Sequence, residues 1–289
     1  MNIAPIGGQV ANSRLPIGVF DSGVGGLTVL AALRRELPGE SLVYLGDTAR
    51  VPYGTKSSAS VIRYAQQAAS LLVNGGIKLL VVACNTASAV GLEALRKHFA
   101  HLPVIGVVEP GAQASCAVSR NGRIAVIGTE GTILGGAYQR AITDIRPDAL
   151  VVAQPCSLFV ALAEEGWIEG ELVEAIISKY LTPILRREAS DPIDCMVLGC
   201  THFPALSGAI QNVVGQTVKL VDSAETTAKA VKRELNRLGL LAPADASDAA
   251  LTRFLVTDGP DRFSRVAPHF FHSPVPLSLI ELVDIGTTA

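Results

Sequence analysis

Two similar α/β domains, each built on a parallel sheet and related by pseudo-twofold symmetry, are the fold class that this sequence predicts. The functional site is expected in the cleft between them. Three observations point this way. Short β-branched runs alternate with amphipathic segments, the βαβ pattern of a parallel sheet covered by helices. A set of strand-end segments occurs twice in the same order. The chain has 289 residues, 49% apolar and 17% charged, which is enough for two cores.

The elements follow in order. Ile17–Phe20 reads as a short apolar strand, and Asp21-Ser22-Gly23 leads from it to a helix near Leu27–Leu37 that Pro38-Gly39 ends. Leu42–Leu45 is the second strand. Val61, Tyr64, Ala65, Ala68, Leu71 and Leu72 share one helical face, closed by Gly75-Gly76. Ile77–Ala83 is a continuous apolar run, as in a strand buried on both faces. Leu92, Leu95 and Phe99 mark the next helix, and Val104–Val108 the next strand.

The repeat pairs Phe20-Asp21-Ser22-Gly23 with Ile127-Gly128-Thr129-Glu130, and Leu42-Val43-Tyr44 with Leu150-Val151-Val152. It pairs Val81–Thr86 with Val197–His202, and Val107-Val108-Glu109 with Leu220-Val221-Asp222. The offset stays at roughly 110 residues, the size of one domain. A helix follows with Ala228, Val231, Leu235 and Leu238 on one face, then a loop over Ala242–Asp248 and a last strand at Phe254–Thr257. The expected organisation is a discontinuous first domain, residues 1–109 plus 223–289, and a second domain, residues 110–222.

Composition excludes several classes. A net charge of −2 gives no electrostatic footprint for nucleic acid or an anionic membrane. No apolar run reaches the length of a transmembrane helix, and Met1–Pro16 reads as a flexible lead-in rather than a secretory signal. The five cysteines, Cys84, Cys116, Cys156, Cys195 and Cys200, form no CxxC pair and are expected as free thiols in a reducing, cytoplasmic setting. Cys116, Cys156 and Cys195 read as packing residues. His98, His101, His269 and His272 lack metal-ligand spacing.

Cys84 and Cys200 stand at equivalent strand ends, each expected to open a helix, where ligands of open α/β sheets bind. A helix N-terminus should lower a thiol pKa. Two such thiols across a cleft could face opposite sides of one carbon. Asn85-Thr86 and Thr201-His202 would then present donors to a carboxylate. Gly23-x-Gly25 after a strand, with Asp47 ending the next one, also resembles part of a dinucleotide fingerprint. The third glycine position is Thr28, however, and Asp21 would repel a pyrophosphate.

Four segments resemble the glutamate racemases of the aspartate/glutamate racemase family: Phe20–Leu27, Gly46–Gly54, Ala83–Ser88 and Gly199–Pro204. The resemblance implies interconversion of L- and D-glutamate without a cofactor, supplying D-glutamate for peptidoglycan in a bacterial cytoplasm. It implies Cys84 and Cys200 as the catalytic pair, with Cys84 taking the proton from D-glutamate and Cys200 from L-glutamate. Asp21 and His202 would assist them, with Glu164 as a further acidic helper. Asp21, Ser22, Tyr53, Gly54, Asn85, Thr86, Thr201 and His202 would bind substrate. His202 distinguishes the chain from aspartate racemases, which usually carry Glu there. The family often has Pro where Ser157 and Ala161 stand. A homodimer is implied, with no nucleic-acid or membrane partner.

Overall fold

The computed structural model describes residues 12–187, 192–243 and 250–286. Most of the expected lead-in, and 244–248 of the expected loop, lie outside them. Among the described residues all strand pairings are parallel, and they form two sheets. The first contains β1 (Ile17–Asp21), β2 (Leu42–Gly46), β3 (Leu79–Val82) and β4 (Val104–Gly106) in the order β2-β1-β3-β4. The second contains β5 (Arg123–Gly128), β6 (Leu150–Pro155), β7 (Cys195–Gly199) and β8 (Lys219–Asp222) in the order β6-β5-β7-β8. The order is the same in both, so the sequence repeat is a repeat of topology.

The helices of the first half are α1 (Leu27–Glu36), α2 (Ser58–Asn74) and α3 (Asn85–His98). Those that follow are α4 (Val108–Val118), α5 (Glu130–Leu134), α6 (Ala137–Ile145), α7 (Leu158–Glu164), α8 (Glu171–Arg187), α9 (Ser207–Val214) and α10 (Ser223–Leu238). The chain then returns to the first sheet. β9 (Thr252–Val256) pairs with β2, and β10 (Ile280–Leu282) pairs with β9, with α11 (Pro260–Val266) and α12 (Pro268–Phe271) between them. β10 has no expected counterpart. It is three residues long at a sheet edge, too short to carry a hydrophobic pattern.

Burial explains the strands. Every residue of β1, β2, β3 and β7 is buried, as strands covered on both faces must be. One core runs through both halves, joining Val19 and Tyr44 of the first sheet to Ile127 and Leu198 of the second. A second core lies under α2 and α3, and a third under α4 and α6. The α2 face is as expected, with Val61, Ala65, Ala68 and Leu72 buried, and Gly76 at φ 79° supplies the left-handed turn after it. α10 buries Ala228, Val231 and Leu235 and ends at Gly239, also left-handed.

The expected strand Val104–Val108 is shorter than that, because β4 stops at Gly106 and α4 starts at Val108. Pro110 explains the early start, since proline fits the first turn of a helix, where its missing N–H is not needed. The fourth repeat pair therefore joins a helix start to a strand and is not structurally equivalent. The boundary expected at 109/110 falls inside α4. Among the described residues, no helix is long and apolar enough to cross a membrane.

Candidate active site

The ends of β1, β3, β5 and β7 converge between the two sheets. Asp21 is the last residue of β1 and is fully buried. Its Oδ2 accepts the Gly23 N–H at 2.9 Å, while Oδ1 has no partner. Burial raises its pKa, and the nearby charge of His202 opposes that rise. The Gly23-x-Gly25 turn serves a close approach. A Cβ on Gly25 would lie 2.4 Å from His202 Nδ1 and 2.5 Å from Thr201 Oγ1, and one on Gly26 would strike Asp21. These glycines bring the β1 loop against the residues after β7, so their small size serves the contact between the two halves. Thr28 makes the same junction, its hydroxyl donating to the Thr201 carbonyl at 3.1 Å.

Cys84 caps α3. Its Sγ accepts the Ala87 N–H at 3.4 Å and lies 3.4 Å from the Ser22 hydroxyl. The expected lowering of a thiol pKa is reversed here. Burial first, and then the charge of Asp21, pushes the Cys84 thiol up to about 12. Desolvation outweighs the helix N-terminus, which acts only through its first turn.

Cys200 differs from expectation in another respect. No α-helix opens at it. A turn and the 3-10 segment Phe203–Leu206, with Pro204 near its start, intervene before α9 begins at Ser207. The long-helix terminus therefore serves Cys84 alone, and Thr201-His202 lies in a turn. What faces Cys200 is an imidazole. His202 Nδ1 lies 3.8 Å from Cys200 Sγ, and its Nε2 is 2.9 Å from Glu164 Oε1. Glu164 Oε2 in turn accepts from Arg262 at 2.7 Å. Burial works against a charged His202, but its bonds to Cys200 and Glu164 prevail and raise it to about 10. Burial likewise raises Glu164, but His202 and Arg262 overcome this and hold it near 2.

The remaining expected site residues border the same space. Tyr53 is buried, and its hydroxyl donates to Asp47 Oδ2, which also accepts from Arg50 Nε at 2.7 Å. Asp47 Oδ1 accepts from Thr257 at 3.0 Å, so the end of β9 helps fix this loop. Gly54 packs on the second half, where an added Cβ would lie 2.7 Å from Thr129 Cβ. Thr86 Oγ1 lies 2.9 Å from Thr129 Oγ1 and 3.2 Å from Thr132 Oγ1. Asn85 Oδ1 accepts from Tyr138 at 2.7 Å, leaving the buried Nδ2 without a partner. The contacts are reciprocal. The β1 loop meets the residues after β7, and the β5 loop meets the residues after β3, as a pseudo-twofold requires.

The family model described as Asp/Glu/Hydantoin racemase matches residues 17–231. The chain belongs to that racemase family. Among relatives, it is 52% identical to the glutamate racemase of Geobacter metallireducens over 254 residues, covering 88% of this chain and 92% of that one. The solved glutamate racemase of Francisella tularensis, in complex with D-glutamate, is 35% identical with a TM-score of 0.85, covering 94% of this chain and 98% of that one. The glutamate racemase isoform RacE1 of Bacillus anthracis has the same identity and coverage and a TM-score of 0.86.

Within this racemase fold, the structure adds residues that sequence reasoning missed. Thr129 was signalled by the repeat, since Ile127–Glu130 is the counterpart of Phe20–Gly23, whereas Thr132 lies beyond that segment. Tyr138 and Arg262 carried no local signal. All five cysteines are free. Cys156 and Cys195 are fully buried, Cys116 partly so, as packing residues would be.

Proposed function

We propose that this chain is a glutamate racemase that moves the α-proton between two thiols, Cys84 and Cys200. One observation carries the reading. Each cysteine follows the equivalent strand, β3 or β7, of two sheets that share one four-strand order, and each has its own acid/base companion. Cys84 stands beside Asp21 and Ser22, and Cys200 beside His202 and Glu164. The similarity to the glutamate racemases of Geobacter metallireducens and Francisella tularensis supports the choice of substrate.

In this reading a thiolate removes the α-proton from one face of glutamate, and the opposite thiol delivers its proton to the other face. Two features suit the start from L-glutamate. Cys84 is a thiol ready to donate, and on the other side the His202 imidazole, raised to about 10, stands 3.8 Å from the Cys200 sulfur. The carbanion that forms beside a carboxylate needs fixed donors. The unpartnered Asn85 Nδ2, the Thr86 and Thr201 hydroxyls and the N–H groups opening α3 are suited to that role, with Ser22, Tyr53 and Gly54 bordering the substrate. Proton transfer proceeds best when donor and acceptor are already held within hydrogen-bond reach.

The same proposal includes a first domain of residues 1–109 and 223–289 with a second of 110–222, a homodimer, and delivery of D-glutamate to peptidoglycan synthesis in the cytoplasm. The activity is tested by following the optical signal of L-glutamate, D-glutamate and L-aspartate with the purified protein and no added cofactor. Loss of signal from both glutamate enantiomers, with aspartate unchanged, is expected. Turnover of aspartate alone would overturn the assignment.

A further inference from the structure

We infer that Arg262 is a positioning residue for the Cys200 side of the site, holding Glu164 so that its carboxylate aims His202 at Cys200. The inference rests on the racemase reading for its catalytic meaning, but its geometry stands independently. Arg262 lies on α11, beyond residues 17–231 that the family model matches.

Glu164 uses its two oxygens separately. Oε1 meets His202 Nε2 at 2.9 Å, and Oε2 meets Arg262 Nη2 at 2.7 Å. A carboxylate held at both oxygens cannot rotate away, whereas one held by the imidazole alone can. Glu164 is the last residue of α7, and the helix end is closed by Gly166 at φ 73°, with the Gly166 N–H on the Ala163 carbonyl at 3.2 Å and the Trp167 N–H on the Leu162 carbonyl at 2.8 Å. The backbone there is fixed, so the aim of the carboxylate is set by what its two oxygens meet.

The α11–α12 segment is itself firmly seated. Phe263, Val266 and Phe270 are buried, and the Phe270 ring packs edge-on against His202 at 5.0 Å between centroids. His269 lies against Gly166, where an added Cβ would sit 2.8 Å from its ring. The segment that presents Arg262 therefore also braces His202 from the side. The charged groups facing Glu164 are His202 from the β7 loop and Arg262 from α11. His202 faces the carboxyl groups of Glu164 and Asp21 and the sulfur of Cys200. The Cys84 side is built differently, since Asp21 is held through a backbone N–H and has one oxygen without a partner.

The test compares Arg262→Met, Arg262→Lys and Arg262→Met in a Glu164→Gln background. Loss of one charge-assisted bond at a partly exposed pair should lower kcat/KM about 3–10-fold. The loss must be equal for the two enantiomers, whose equilibrium constant is one. Arg262→Lys should recover most of it. In the Glu164→Gln background the same change should cost less than about 2-fold, because coupled residues are non-additive. Spectra of 15N-histidine-labelled protein give a readout that needs no turnover. The His202 signal, assigned with His202→Asn, should respond to acid at higher pH in Arg262→Met than in the unaltered protein, as Glu164 returns towards its ordinary range. An equal loss in both backgrounds, or an unmoved His202 signal, overturns the inference. Failure of the unaltered protein to racemise glutamate would instead overturn the proposed function, and the spectra would still decide the role of Arg262.

Discussion

The Tyr138 hydroxyl, on a helix of the second half, donates a 2.7 Å hydrogen bond to Asn85 Oδ1 at the start of α3 in the first. This bond fixes which way the amide faces. Asn85 Nδ2, buried and without a partner, must point at whatever accepts from it. Tyr138→Phe removes only the hydroxyl from a fully buried ring. We expect KM for both enantiomers to rise about 3–10-fold, the cost of one oriented hydrogen bond, with a smaller change in kcat. Steady-state kinetics in both directions check this, and an unchanged KM would separate Tyr138 from substrate binding.

Gly25 makes the opposite junction, and its missing side chain is what allows it. In Gly25→Ala the new Cβ would overlap His202 Nδ1 and Thr201 Oγ1. The halves must separate slightly or His202 must rotate from Cys200. Because misplacement on the order of 1 Å at a reacting group costs about 100-fold, kcat should fall by at least about that factor. Thermal unfolding measured in parallel should show the fold retained.

The Glu164–His202 pair sets a pH window for stability. Glu164 is depressed from 4.5 to about 2, so its contribution is present above pH 4.5 and is lost as pH falls through 2. His202 is raised from 6.5 to about 10, so its contribution is complete below pH 6.5 and is lost as pH rises through 10. The two overlap fully between pH 4.5 and 6.5. The stability difference between the unaltered protein and Glu164→Gln should be largest there and should shrink towards pH 10. Urea unfolding at pH 5.5, 8 and 10 checks the sign.

Away from the site, Lys78 and Glu40 form an ion pair in which both side chains are almost fully buried. Lys78 also donates to the Ser13 carbonyl at 2.6 Å, and Glu40 Oε1 accepts the Ala242 N–H at 2.7 Å. The pair thus ties the start of the described chain and the segment after α10 to the first sheet. Lys78→Ala leaves a buried carboxylate unpaired and should cost about 3–5 kcal/mol, measured by denaturant unfolding. Activity of the folded fraction should be unchanged, since Glu40 and Lys78 precede β2 and β3, at the end of the sheet opposite Cys84.

The sequence carried the architecture because buried parallel strands must be apolar along their length. Val81-Val82-Ala83 and Val197-Leu198-Gly199 state that requirement twice, and the thiols follow directly. β10 escaped because three edge residues have no pattern. The pKa of Cys84 escaped because burial by distant segments, and the charge of Asp21, decide it, not the local helix terminus. The absence of a helix at Cys200 was written locally, in Pro204, but its consequence depends on where α9 begins. Arg262 and Tyr138 reach the site only through the return of the tail and the docking of the halves, which no local window records.

The two-thiol account is tested most directly by α-proton exchange in deuterium oxide, followed by NMR from L-glutamate and from D-glutamate, with Cys84→Ala and Cys200→Ala alongside. In the unaltered protein, deuterium should enter the enantiomer being formed faster than it enters the starting one, because the two faces are served by different thiols. Each alanine variant should lose racemisation in both directions. Equal early labelling of both enantiomers, or full two-way turnover by either variant, would contradict the account.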